Sequence, residues 1–137
     1  MAKLNSAKKL TILIVDDEPI LVKGISDFLQ AKGFSVSQAQ DGEEGIRLAQ
    51  SVKPDLILMD VMMPKMNGFQ ALQVLKENTK TMDIPVIMLT VKSAQEDKQE
   101  GMQNYAEKYL TKPFDLEVLY TEITNSLRLR RDLPNSA

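Results

Sequence analysis

Short apolar runs alternate along the chain with longer segments in which apolar residues recur every three or four positions. Leu10-Thr11-Ile12-Leu13-Ile14-Val15 is nearly continuous and β-branched, which fits a strand buried on both faces. Apolar residues at 21, 25, 28 and 29 make one face of a helix from Pro19 to Lys32, and Gly33 follows as its stop. Residues 34–39 alternate as a second strand. Asp41-Gly42-Glu43-Glu44 caps a helix running to about Ser51, with acids in its first turn. Residues 56–59 read as a third strand, and 68–78 as a third helix with Phe69, Leu72 and Leu75 inward. Residues 85–89 form strand four and 108–111 a short strand five. A last helix runs from about Asp115 to Arg130, apolar at 116, 119, 120, 123 and 127.

The segment between strands four and five stands apart. Ser93-Ala94-Gln95-Glu96 is a capping box, so a fourth helix starts there. Its body offers only Ala94 and Met102 to a core, and Gly101 weakens it. It reads as a solvated surface helix, or as a marginal element that shifts when a site beside it changes. Five βα repeats imply an α/β fold: one doubly wound parallel sheet of five strands, helices on both faces, with right-handed crossovers. One domain over residues 9–131 accounts for this pattern. Residues 1–8 read as a flexible tail, and 132–137 as a tail or the start of a linker.

Composition narrows the chemistry. The 137 residues contain no cysteine and no histidine, which excludes disulfides, cysteine-based zinc sites and Ser/His or Cys/His nucleophile pairs. Carboxylates, lysines, hydroxyls and a hard metal ion remain. A net charge of −2 offers no whole-protein attraction to nucleic acid or membrane. The basic cluster of Arg128, Arg130 and Arg131 falls where the last helix ends and complements its dipole. No apolar stretch approaches the roughly 18 residues of a membrane span. The start, MAKLNSAKKL, lacks the apolar block of a secretory signal, so a cytoplasmic location is expected.

In a parallel sheet the C-terminal strand ends share one edge, and ligands bind along it where the strand order reverses. Strand one ends in Asp16-Asp17, with Glu18 behind them; strand three ends in Asp60, strand four in Thr90, strand five in Lys112. Each residue alone has a plain structural use, as a helix cap or a turn closer. Together they place three aspartates, a hydroxyl and an ammonium on one rim. Two carboxylates about 4 Å apart repel by roughly 4 kcal/mol at an effective dielectric near 20. Lys112 cannot balance three of them, whereas Mg²⁺ with open water positions can, and such sites typically complete their shell with phosphate oxygens. A carboxylate, a divalent cation, a lysine and a hydroxyl suit phosphoryl transfer to the carboxylate. That nucleophile is already anionic and needs no base.

The motifs "ILIVDDEP", "PDLILMDVMMPKMNG", "PVIMLT" and "YLTKPF", in this order and spacing, resemble the receiver domain of two-component response regulators, the chemotaxis-Y-like family. The resemblance covers about residues 9–131. It implies a flavodoxin-like (βα)5 fold with strand order 2-1-3-4-5. It implies Asp60 as phosphoacceptor, and an Mg²⁺ site made by Asp16, Asp17, Asp60 and the Met62 backbone carbonyl. It implies that Thr90 and Lys112 contact the phosphoryl group, that the Lys112–Pro113 peptide is cis, and that Tyr109 is the aromatic switch. The phosphoryl group would come from a sensor histidine kinase or phosphotransfer protein. The change would be relayed through the fourth helix, fifth strand and fifth helix to a downstream effector or an output domain, in cis or in trans. No direct nucleic-acid or membrane contact by this domain is implied, and no turnover beyond its own phosphorylation and dephosphorylation.

The chain departs from the family pattern at three positions. Val91 stands where alanine or glycine is usual, which should narrow the mouth of the pocket. Lys92 adds charge at the rim. Tyr105 stands where glycine is usual, at a position that often takes positive φ, although Asn104 could adopt that conformation instead. The methionines read as gap-fillers, and the Met62 side chain is also placed to shield Asp60 from water. Three other functions compete. A receiver-like interaction domain that is poorly phosphorylated shares every motif. An Mg²⁺-dependent aspartyl-phosphate phosphohydrolase would want a second acid two residues after Asp60, where Met62 stands. A nucleotide or flavin module would want glycines after strand one, where "VDDEPIL" offers anions.

Overall fold

A computed structural model describes residues 9–91, 106 and 108–131, with the side chains of 129–131 outside the description. The expectations for the two tails, for Lys92, for the helix beginning at Ser93 and for Asn104 and Tyr105 therefore lie outside the described residues, as do the side chains of Arg130 and Arg131. Strands β1 (Thr11–Val15), β2 (Ser35–Ala39), β3 (Leu56–Asp60), β4 (Val86–Val91) and β5 (Lys108–Lys112) form one sheet in the order β2-β1-β3-β4-β5. Every pairing is parallel. This is the doubly wound α/β architecture and strand order expected.

Strand periodicity explains the two-sided core. Leu13, Val15, Ile57, Met59, Val86 and Met88 face one side, where they meet α2 (Gly42–Val52) and α3 (Gly68–Lys76). Ile12, Ile14, Leu56, Leu58, Ile87 and Leu89 face the other, against α1 (Pro19–Ala31) and the C-terminal helix α4 (Leu116–Arg131). Alternate residues of one strand thus serve opposite cores, which is why the strands lack a polar face. Each fully buried leucine or isoleucine contributes about 1.5–3 kcal/mol.

The helices start and stop for local reasons. Glu18 is the N-cap of α1, Pro19 follows it, and Gly33 takes φ 101 just past the C-cap. Asp41 caps α2 by accepting from the Glu44 N–H at 2.8 Å, while Glu44 accepts from the Gln40 N–H at 3.0 Å. Asn67 and Gln70 form a reciprocal capping box on α3. Strands three and five each extend one residue past the expected end, strand four runs Val86–Val91 rather than 85–89, and α3 stops at Lys76 rather than Asn78. On α1, Val22 and Ser26 are buried along with Ile25 and Leu29, whereas Ile20 is 88% exposed.

Candidate functional site

Four strand ends, those of β1, β3, β4 and β5, bring the candidate residues to the C-terminal edge of the sheet. The β1 end delivers Asp16 and Asp17, and the β3 end delivers Asp60. One carboxylate oxygen from each lies within 4.8 Å of the others. Asp16 and Asp60 are only 2% and 4% exposed, while Asp17 faces solvent. The backbone holds them tightly. The Asp16 N–H donates to Ala39 O at 3.1 Å, and Asp16 Oδ1 accepts from the Glu18 N–H at 2.9 Å.

Asp60 is held from behind by an unusually close approach of the backbone. Val61 N–H donates to Leu89 O at 2.9 Å, and Gly68 N–H donates to Val61 O at 2.8 Å. A Cβ at position 68 would lie 2.2 Å from the Asp60 carbonyl oxygen. Asn67-Gly68 reads in the sequence as turn chemistry. The structure gives glycine a packing reason as well: α3 begins against the end of the strand that carries Asp60. Met63 is buried, but Met62 is 58% exposed. The Met62 backbone N–H acts to lower the Asp60 pKa.

Lys112 spans the edge from the far side. Its Nζ donates to Glu18 Oε1 at 2.9 Å, Asp16 Oδ2 at 3.0 Å and Asp60 Oδ1 at 3.1 Å. All three ammonium hydrogens thus have carboxylate partners. Burial alone would lower the Lys112 pKa, but the bonds to Glu18 and Asp16 outweigh it and hold it above the ordinary lysine value. The carboxylates show the opposite strain. Burial, then the charge of Asp16, raises Asp60 to about 6 despite the lysine and the Met62 N–H. Burial also raises Asp16. One ammonium does not neutralise this cluster. Hard, mutually repelling oxygen donors with an open, solvent-facing side are the donor set that Mg²⁺ takes.

The other candidates lie nearby. Thr90 is buried on β4, one residue beyond the Leu89 that pairs with Asp60, and its hydroxyl donates to Val91 O at 3.0 Å. Val91, 37% exposed, pairs in register with Lys112. Tyr109 is half-buried against the core on the α2/α3 side, and burial raises its pKa. The Lys112–Pro113 bond is cis. Beside these lies a groove of about 570 Å³ lined by Glu18, Ile20, Leu21, Val91, Lys112 and Phe114, among others. A more polar cleft of about 670 Å³ opens between α1 and the end of β2, next to Asp16 and Asp17. Glu18 is the residue to which the motif reading gave no role. The run of three acids after β1 was the available signal.

Comparison with known proteins follows the same lines. The model of the response regulator receiver domain matches residues 12–124. The "DNA-binding dual master transcriptional regulator RpaA" of Synechocystis is 42% identical over 92% of this chain and 52% of its own. "Protein PilH" of Pseudomonas aeruginosa is 44% identical over 82% of this chain and 93% of its own. The chain spans about half the length of most of the curated relatives it matches. Among solved structures, a CheY-like receiver domain protein from Methanospirillum hungatei superposes with a TM-score of 0.83 at 32% identity, covering 92% of this chain and all of the other. Chemotaxis protein CheY4 of Vibrio cholerae gives 0.79 at 34% identity, over 86% of this chain and 98% of its own. Among the described residues no helix is long and apolar enough to cross a membrane.

Proposed function

Because the chain belongs to the response regulator receiver domain family, we propose that it is a phosphorylation-controlled signalling switch with Asp60 as phosphoacceptor. One observation carries this reading: Asp16, Asp17 and Asp60 converge on one edge, and Lys112 reaches two of them. Asp16, Asp17, Asp60 and the Met62 carbonyl would hold Mg²⁺. When bound, that ion neutralises charge on the phosphoryl oxygens and lowers the barrier to their approach.

The protein's own groups supply the rest. An Asp60 carboxylate oxygen attacks phosphorus as the bond from phosphorus to the donor's nitrogen or oxygen breaks, and the bonding pair leaves with the donor. The product is a mixed anhydride. Lys112, already beside Asp60, turns to the new equatorial oxygens, and the Thr90 hydroxyl exchanges its Val91 acceptor for the phosphoryl group. That motion opens space toward Tyr109 on β5, whose displacement would carry the change to the surface of β5 and α4. A histidine kinase or phosphotransfer protein is the donor, and an effector or output domain the recipient. A cytoplasmic location fits those partners.

The chemistry is tested by its linkage type. After incubation with a small phosphodonor and Mg²⁺, bound phosphate should be released by hydroxylamine and should not form in EDTA. Hydroxylamine-stable phosphate would place the modification on a hydroxyl instead.

A further inference from the structure

We propose that Glu18 is a positioning residue that receives the Lys112 ammonium when a divalent cation takes up Asp16 and Asp60. This rests on the metal site assigned above.

Lys112 divides its three hydrogen bonds among Asp16, Asp60 and Glu18. The first two carboxylates belong to the group able to hold a cation, and Glu18 does not. A cation arriving there competes with the ammonium for the same oxygens and repels it at close range. Lys112 then needs an acceptor that the cation does not share, near enough to keep it at the rim for the phosphoryl oxygens. Glu18 offers one at 2.9 Å, the shortest of the three contacts.

The geometry around Glu18 favours this use. It occupies the N-cap of α1, where a side chain ordinarily accepts from the first helical N–H groups, yet it makes no such bond. Its main chain is fixed instead: its N–H donates to Asp16 Oδ1, and its carbonyl accepts from the Val22 N–H at 3.0 Å. The base of the side chain is therefore anchored, while the carboxylate is 57% exposed and free to follow the lysine outward. Ile20, Leu21, Val91 and Phe114 line the same groove.

A purely electrostatic role would differ in outcome. In that case Glu18 would attract a cation through its charge alone, whether or not Lys112 is present. Calorimetric Mg²⁺ titration of the wild type, Glu18→Gln, Glu18→Asp, Lys112→Met and the Glu18→Gln/Lys112→Met double variant separates the two. Glu18→Gln should weaken Mg²⁺ binding by about fivefold with Lys112 present, and by less than about twofold in the Lys112→Met background. Glu18→Asp keeps the charge but is one methylene short of the lysine, so it should resemble Glu18→Gln. Equal factors in the two backgrounds, or a Glu18→Asp variant that binds like the wild type, would overturn the role of Glu18 and leave the metal site standing. A wild type that takes up no Mg²⁺ would overturn the metal site, and with it the role of Glu18.

Discussion

Lys112 Nζ lies 3.1 Å from Asp60 Oδ1, although β4 stands between the strands that carry them. The lysine crosses a whole strand to reach the edge, and its side chain is almost buried on the way. It balances part of a carboxylate cluster whose repulsion the fold otherwise bears alone.

Replacing that lysine exposes the imbalance. Lys112→Met should destabilise the metal-free protein by about 2–4 kcal/mol at pH 7, because paired buried carboxylates lose their counter-ion. The deficit should shrink when Mg²⁺ is added, and again as pH falls through about 6, where Asp60 takes up a proton. Urea unfolding in EDTA and in Mg²⁺ measures both effects.

Asp60 gives stability a pH dependence of definite sign. Its pKa rises from 3.8 to about 6 on folding, so between those values the folded state binds more protons than the unfolded one. Stability from this group is full below about pH 4 and is lost as pH rises through about 6. The loss is at most about 3 kcal/mol, and less where water at the rim screens the charge. Asp60→Asn should therefore stabilise the metal-free protein at pH 7, with the gain fading toward pH 4. Thermal midpoints across pH 4–8 in EDTA read this out; a gain that grows on acidification would refute it.

At Gly68 the constraint is steric. A methyl at 2.2 Å from the Asp60 carbonyl cannot be relieved by a flexible side chain, since the obstacle is backbone. Gly68→Ala should cost at least about 2 kcal/mol and shift the amide resonances of Asp60 and Val61. Unchanged stability would show that α3 can slide away from the strand.

Val91 tests the mouth of the pocket. It is partly exposed, on the strand position that pairs with Lys112, and shares a groove with Glu18. Val91→Ala should speed phosphorylation by small donors about threefold or more, by relieving crowding on approach. Equal initial rates for the two proteins would contradict this.

Much of the architecture was legible because the two periodicities are clean. Leu56 to Met59 has no polar residue to offer a solvent face, and Leu119, Ile123 and Leu127 share one helical stripe. Parallel order then places every strand end at one edge, so the location of Asp16, Asp60 and Lys112 followed from βα alternation. Contacts that depend on side-chain reach did not follow. Glu18 adjoins the aspartates in the chain, but only the path of Lys112 over β4 shows what it touches. Ser26 is buried although it is polar, because helix packing rather than residue type decides that position. The exposure of Ile20 reverses the same lesson.

The central claim is that Asp60 accepts a phosphoryl group. Intact-mass analysis after incubation with Mg²⁺ and phosphoramidate should show a single adduct of about 80 Da on the wild type, and none on Asp60→Asn. An adduct of equal yield on Asp60→Asn, or none on the wild type with small donors and a phosphorylated histidine kinase alike, would contradict the account.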